Sequence, residues 1–201
     1  LTVSSTKRAS NAGVGNIHFI CADAGSVQLP DAPFDRLFSR FGSMFFAEPH
    51  QAFANLRSLL RPGARIDLAV WAPPRDNLWM MEMMGVVRRH VDIPPAVPRA
   101  PGPFAFEDLE YLNEVLAAGG FSCPDIMAYT GQQPVGGVGA TAQEAVSFVL
   151  SSMAVGKALD EQGTDVRAAA EGELLELFAK HHVPNQGVMM QGKAWLVSAK
   201  A

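Results

Sequence analysis

Cysteine is scarce: Cys21 and Cys123 are the only two in 201 residues. Their spacing suits neither a metal site nor a disulfide framework. That excludes small disulfide-stapled folds and predicts a reducing, cytoplasmic setting with both thiols buried. Long apolar runs are also missing. Stretches such as residues 66–72 are strand-length, so no segment is expected to span a membrane. Basic excess is absent as well: 16 Lys+Arg stand against 20 Asp+Glu, a net charge of −4. A nucleic-acid partner, which needs a basic face, is therefore not expected. The opening LTVSSTKRAS has too short an apolar stretch for a signal peptide. What remains is 48% hydrophobic and 18% charged, the composition of an ordinary globular chain with enough length for one domain and a substantial core.

Periodicity and turn residues divide the chain into alternating elements. Residues 4–12 suit a short helix ended by Gly13 and Gly15. NIHFICADA (16–24) reads as a strand, and Pro30, Asp31 and Pro33 as a turn. FDRLFSRF (34–41) reads as a second strand. Residues 49–60 form a helix with Phe53, Leu56, Leu59 and Leu60 on one face, ended by Pro62-Gly63. ARIDLAVWA (64–72) is a third strand. This order predicts an α/β protein with a parallel sheet flanked by helices. Further helices are expected at 77–91, 106–118, 141–155 and 164–181. A proline-rich loop fills 92–103, and strands are expected near 121–129 and at the C-terminus. No internal repeat and no clean linker divides the chain.

Two strand ends carry candidate chemistry. In open α/β sheets, ligands sit beyond the carboxyl ends of strands. Asp23 followed by Ala24 at such an end suits an adenine, the carboxylate accepting from the amino group and the next backbone N–H donating to the ring. Equally, Asp23 suits a cap on its own following turn. In SRFGSMFF (39–46), Gly42 permits close backbone approach to a ligand. Arg40 suits a carboxylate or solvent. Phe45 and Phe46 suit the core.

In this order, FICADAGSVQLPDAPFDRLFSRFGSMFFAEPHQAFANLRSLLRPGARIDLAVW resembles the Rossmann-like S-adenosylmethionine-dependent methyltransferases, and within them the small-molecule type related to ubiquinone/menaquinone C-methyltransferases. PGPFAFEDLEYLNEVLAAGGFS resembles the same family where a helix precedes its sixth strand. The resemblance covers most of residues 4–129 and rests on several motifs in order. It implies a mostly parallel sheet with an antiparallel last strand under a helical cap, in one domain over 1–201 with cap insertions near 74–105 and 130–185. It implies that Asp23 and Ala24 contact adenine, and that Arg40, Phe41 and Gly42 line the methionine end of the cofactor. Trp71 would close the third strand near the substrate, and Trp79, Met80 and Phe104 would meet a small-molecule acceptor.

The family also carries a glycine-rich turn after its first strand and an acid ending its second. Neither precedes NIHFICADA in this sequence. The expectation is of first two strands absent here, roughly 50 residues or more, since one βαβ unit takes ~30. GGVGAT (136–141) is no substitute, because it follows a loop and not an opening strand. Without neighbours, strand 16–24 must gain residues upstream, shift to pair with FDRLF, or pair with a second chain, so a homodimer is among the outcomes.

Catalysis of methyl transfer needs positioning and sometimes a base. Of His18, His50, His90, His181 and His182, only His90, near Arg88 and Arg89, is singled out as a candidate base. The methionines 80, 81, 83 and 84 with Trp79 suit either an adaptable lid or a buried helix. No metal is expected. The leading expectation is methyl transfer from S-adenosylmethionine to a small molecule. The rivals are a non-catalytic domain acting through association and a nicotinamide-dependent oxidoreductase.

Overall fold

The computed structural model describes residues 2–201, and side chains from residue 5 onward. Helix α1 spans Thr2–Asn11 and ends at Gly13, whose φ of 68° is the left-handed conformation a helix stop uses. Residues 14–33 form no helix or strand. This corrects the strand expected at 16–24. A strand needs a hydrogen-bonded neighbour, and none lies beside this segment, so Ile17 and Ile20 are half exposed.

The other expected strands form, the first over nearly its expected range and the later ones longer, and a two-residue strand is added. Strand β1 is Phe34–Arg40 and β2 is Leu60–Trp71, joined by α2, Pro49–Ser58. Strand β3 is Ser122–Val135, β4 is His182–Val183 and β5 is Gly187–Lys200. The sheet order is β1-β2-β5-β3, with β4 paired to β5. The pair β1–β2 is parallel, while β5 runs antiparallel to both β2 and β3. The sheet is therefore mostly parallel with an antiparallel last strand. Among the described residues, nothing pairs with the outer edge of β1.

One sheet face is packed by α2 and by α4, Leu109–Ala118. Asp108 caps α4, its carboxylate accepting from Glu110 N–H at 2.9 Å. Phe53 on α2, fully buried, meets Phe46, Phe106 and Phe121 edge-on at 5.8–6.3 Å between centroids. The buried rings of Phe53, Phe106 and Phe121 contribute about 1.5–3 kcal/mol each by leaving water. Gly119 lies so close that an added Cβ would come within 2.7 Å of Phe53 Cβ.

A second core joins α3 (Leu78–Val87), α5 (Ala142–Ser152), α6 (Ala154–Asp160) and α7 (Thr164–Lys180) to the ends of β3 and β5. The helix expected over 141–155 breaks at Met153, which is extended (φ −118°, ψ 155°). Thr141 and Glu144 form a reciprocal capping box on α5. Both cysteines are exposed, against expectation. Cys21 lies in the unpaired segment. Cys123 sits at a register shift in an edge strand with φ 51°. No helix of the described residues is long and apolar enough to cross a membrane.

Candidate functional site

A groove of about 520 Å³ follows the outer edge of β1. Phe34, Leu37 and Gly42 form one side, Ala24 and Val27 the other, and Leu56 lies between them. The volume falls within the range of small-molecule sites. Asn55 on α2 holds the outer wall. Its Nδ2 donates to the carbonyls of Ala24 (3.2 Å) and Val27 (3.1 Å), and its Oδ1 accepts from Gln28 Nε2 at 3.1 Å. A lone Asn within a helical run gives no sequence signal for such a role.

The structure brings Ala24 and Gly42 to the same groove, but not all of their neighbours. Asp23 closes its own turn: Oδ1 accepts from Gly25 N–H at 2.9 Å and Oδ2 from Ser26 Oγ at 3.1 Å. The Ala24 N–H makes no hydrogen bond among the described residues. Gly42 has an ordinary φ of −102°, so its value here is closeness and not backbone freedom. Arg40 is exposed and pairs with no carboxylate among the described residues.

Phe41 turns away from the groove. Its φ is 57°, unusual for a bulky side chain, and its ring stacks on Trp71 at 4.1 Å and 12°. Trp71 in turn meets Trp79 at 5.2 Å. Three aromatic rings thus run from the end of β1 past the end of β2 to α3. Trp79, Met80 and Phe104 all join the helical core, with Met80 itself buried.

Asn77, which sequence reasoning passed over, organises this end of the sheet. It is fully buried and makes four hydrogen bonds. Nδ2 donates to Ala72 O (2.9 Å) and Pro73 O (3.1 Å). Oδ1 accepts from Lys193 N–H (2.9 Å) and from Trp79 Nε1 (3.2 Å). The β2–α3 turn, β5 and Trp79 are fixed to one another through this one amide. Lys193 Nζ also pairs with Asp76 at 2.9 Å.

Three of the five histidines are engaged elsewhere. His90 is largely buried, with Nε2 3.2 Å from Glu173 Oε1, at ion-pair distance but outside hydrogen-bond geometry. Arg89 donates to the same carboxylate and, as its main influence, holds the Glu173 carboxyl below its ordinary range. His181 meets Glu82 at 2.7 Å, and His50 lies 3.4 Å from Glu114. On the proline-rich loop, Arg99 pairs with Asp108 at 3.1 Å and lies 4.5 Å above the Tyr111 ring. The Glu110 N–H first, and Arg99 second, hold Asp108 below the usual carboxylate range. Among the described residues, no group of His, Cys, Asp and Glu is arranged to hold a metal.

The strand order, the antiparallel β5 and the ligand-sized groove at the end of β1 invite comparison with known proteins. A family model described as a methyltransferase domain matches residues 2–67. Over 78 residues the chain is 31% identical to the ubiquinone/menaquinone biosynthesis C-methyltransferase of a Marinomonas species. That alignment takes in 39% of this chain and 31% of that enzyme. In structure, the chain matches the YcgJ protein of Bacillus subtilis with a TM-score of 0.56 at 15% identity, covering 99% of this chain and 77% of that one. A Bacillus halodurans protein assigned to the methyltransferases matches with 0.53 at 15% identity, covering 98% and 77%.

The fold is methyltransferase-like. Both the sheet with its one reversed strand and the helical layer over its end share this architecture, across almost all of the present chain.

Proposed function

We propose that this methyltransferase-like chain transfers a methyl group from S-adenosylmethionine to a small-molecule acceptor. The observation that carries the reading is the meeting of Ala24 and Gly42 in one groove at the carboxyl end of β1. The free Ala24 N–H fits an adenine ring nitrogen. Asp23 oxygens keep lone pairs beyond the bonds that close their turn, enough to accept from the adenine amino group. Gly42 leaves room for the amino-acid end, beside Arg40 and the Phe41 backbone. When bound, S-adenosylmethionine supplies an electrophilic methyl group on a sulfonium. The protein's part is to hold the acceptor in line with it and to exclude water. The Trp71–Trp79 aromatic surface, backed by Met80 and Phe104, suits an apolar acceptor. His90 enters as a base only if α7 gives up its Glu173 contact.

Calorimetric titration with S-adenosylmethionine tests the reading. Micromolar affinity is expected, weakened at least tenfold by Gly42→Val and by Asp23→Ala. Substitution at Gly42 is well suited, since an added Cβ would make only an ordinary 3.4 Å contact with Ser39 Oγ. Absence of binding, or binding indifferent to both changes, overturns the assignment.

A further inference from the structure

Residues 92–103 bridge the two cores of the molecule. Ile93 and Phe104, at the ends of this stretch, pack against the helical core, as Trp79 does. Ala105 and Phe106, directly after it, belong to the core under α2 and α4, as Trp71 does. The stretch between holds Pro94, Pro95, Pro98, Pro101 and Pro103 and forms no helix or strand. Proline fixes φ, so such a segment moves as a stiff piece hinged at its ends. It is mostly exposed, and two contacts hold its middle. In the first, Gly102 N–H donates to the Met44 carbonyl at 3.0 Å. Met44 is buried, and its Sδ accepts from Trp71 N–H at 3.4 Å, so this contact registers the segment on the end of β2. In the second, Arg99 pairs with Asp108 Oδ2 at 3.1 Å and lies 4.5 Å above the Tyr111 ring, while Asp108 Oδ1 is taken by the cap of α4. Arg99 does this with a φ of 63°, a left-handed conformation that costs any residue with a Cβ. That cost is of the same order as the return from one exposed ion pair and one cation–π contact. The closed position is therefore held with little margin.

We propose that residues 94–103 are a gate over the aromatic end of β2, with Arg99 as its latch. The gate opens when Arg99 leaves Asp108 and Tyr111 and Gly102 leaves Met44. Ile93 and Phe104 stay seated in the helical core and act as its two hinges. Opening uncovers Trp71 and Trp79, whose rings meet at 5.2 Å where the two cores join. What passes the gate rests on the reading above, in which that aromatic surface takes an apolar acceptor. The latch does not rest on it, and its test uses neither cofactor nor acceptor.

Hydrogen exchange of the full chain, followed by NMR, tests it at three sites. Gly102 N–H reports the contact with Met44. The Trp79 indole N–H, which donates to Asn77 Oδ1 at 3.2 Å, reports cover over the aromatic end. Leu68 N–H, in the middle of the central strand β2, reports global unfolding. Two variants loosen the latch. Asp108→Asn keeps a side-chain oxygen to cap α4 and removes the charge that holds Arg99. Arg99→Ala removes both the ion pair and the cation–π contact and keeps the left-handed strain. Exchange at Gly102 and at the Trp79 indole should quicken together, about threefold in Asp108→Asn and ~10-fold in Arg99→Ala, while Leu68 stays unchanged. Exchange at Gly102 that ignores both substitutions overturns the latch. Quickening at Gly102 alone overturns the gate, because the segment then moves without uncovering the aromatic end. Quickening at Leu68 by the same factor overturns it as well, because the substitutions then act on the whole fold.

Discussion

Replacing Asn77 with alanine should cost this protein about 4 kcal/mol. The side chain is fully buried and makes four hydrogen bonds, two donated to carbonyls and two accepted from N–H groups. Each contributes ~1 kcal/mol net, and the main cost is that buried partners lose their bonds without gaining water. For a domain of this size the melting temperature should fall by roughly 8–16 °C. Urea unfolding followed by tryptophan fluorescence is the assay, because Trp71 and Trp79 report from beside the substituted position. Asn77→Asp is a sharper control. It keeps the acceptor but turns a carboxylate oxygen toward the carbonyls of Ala72 and Pro73. Burial beside carbonyls favours the protonated carboxyl, which can donate as the amide did, so the aspartate variant should recover stability as pH falls. A loss below ~1 kcal/mol for Asn77→Ala would refute the view that this amide holds the β2–α3 turn to β5.

Three further outcomes are expected. Gly156→Ala would drive a Cβ into the Leu150 carbonyl at the α5–α6 break, and should cost about 3 kcal/mol or more in chemical denaturation, the upper end for overpacking. Phe41→Gly should be more stable than Phe41→Ala by about 1 kcal/mol, since both lose the Trp71 stack but only glycine relieves the left-handed φ. Glu144 is held below the ordinary glutamate range, chiefly by the Thr141 N–H. Its contribution is therefore present above about pH 4.3 and is lost as pH falls through the lower folded value; Thr141→Ala keeps that N–H but removes the hydroxyl, the second cause, so acid titration of stability should show a partly shallower loss, and Glu144→Gln should abolish it.

Much of the architecture was legible because local signals and tertiary contacts agree. Phe53 and Leu56 mark the buried face of α2, and β2 follows from its alternating Ile66, Leu68 and Val70. The segment 16–24 shows the limit of such reading. Its strand propensity is strong, but a strand exists only with a neighbour, and pairing is a property of the sheet and not of the segment. The buried-cysteine expectation failed at Cys21 for the same reason, and at Cys123 because β3 is an edge strand. At the site, the motif order singled out Ala24 and Gly42, which the groove unites. Asn55 and Asn77 were invisible because their importance lies in which distant carbonyls they reach. Met80 was read both as lid and as core, since methionines on a helix give the same pattern for either; the structure buries it.

The central claim is that the groove beside β1 takes the adenosyl end of S-adenosylmethionine. Its most direct test is isothermal titration of wild-type and Gly42→Val protein with that molecule. The account predicts saturable micromolar binding to the wild type and a loss of at least tenfold in the variant. No heat of binding to the wild type, or the same affinity in both, would contradict it.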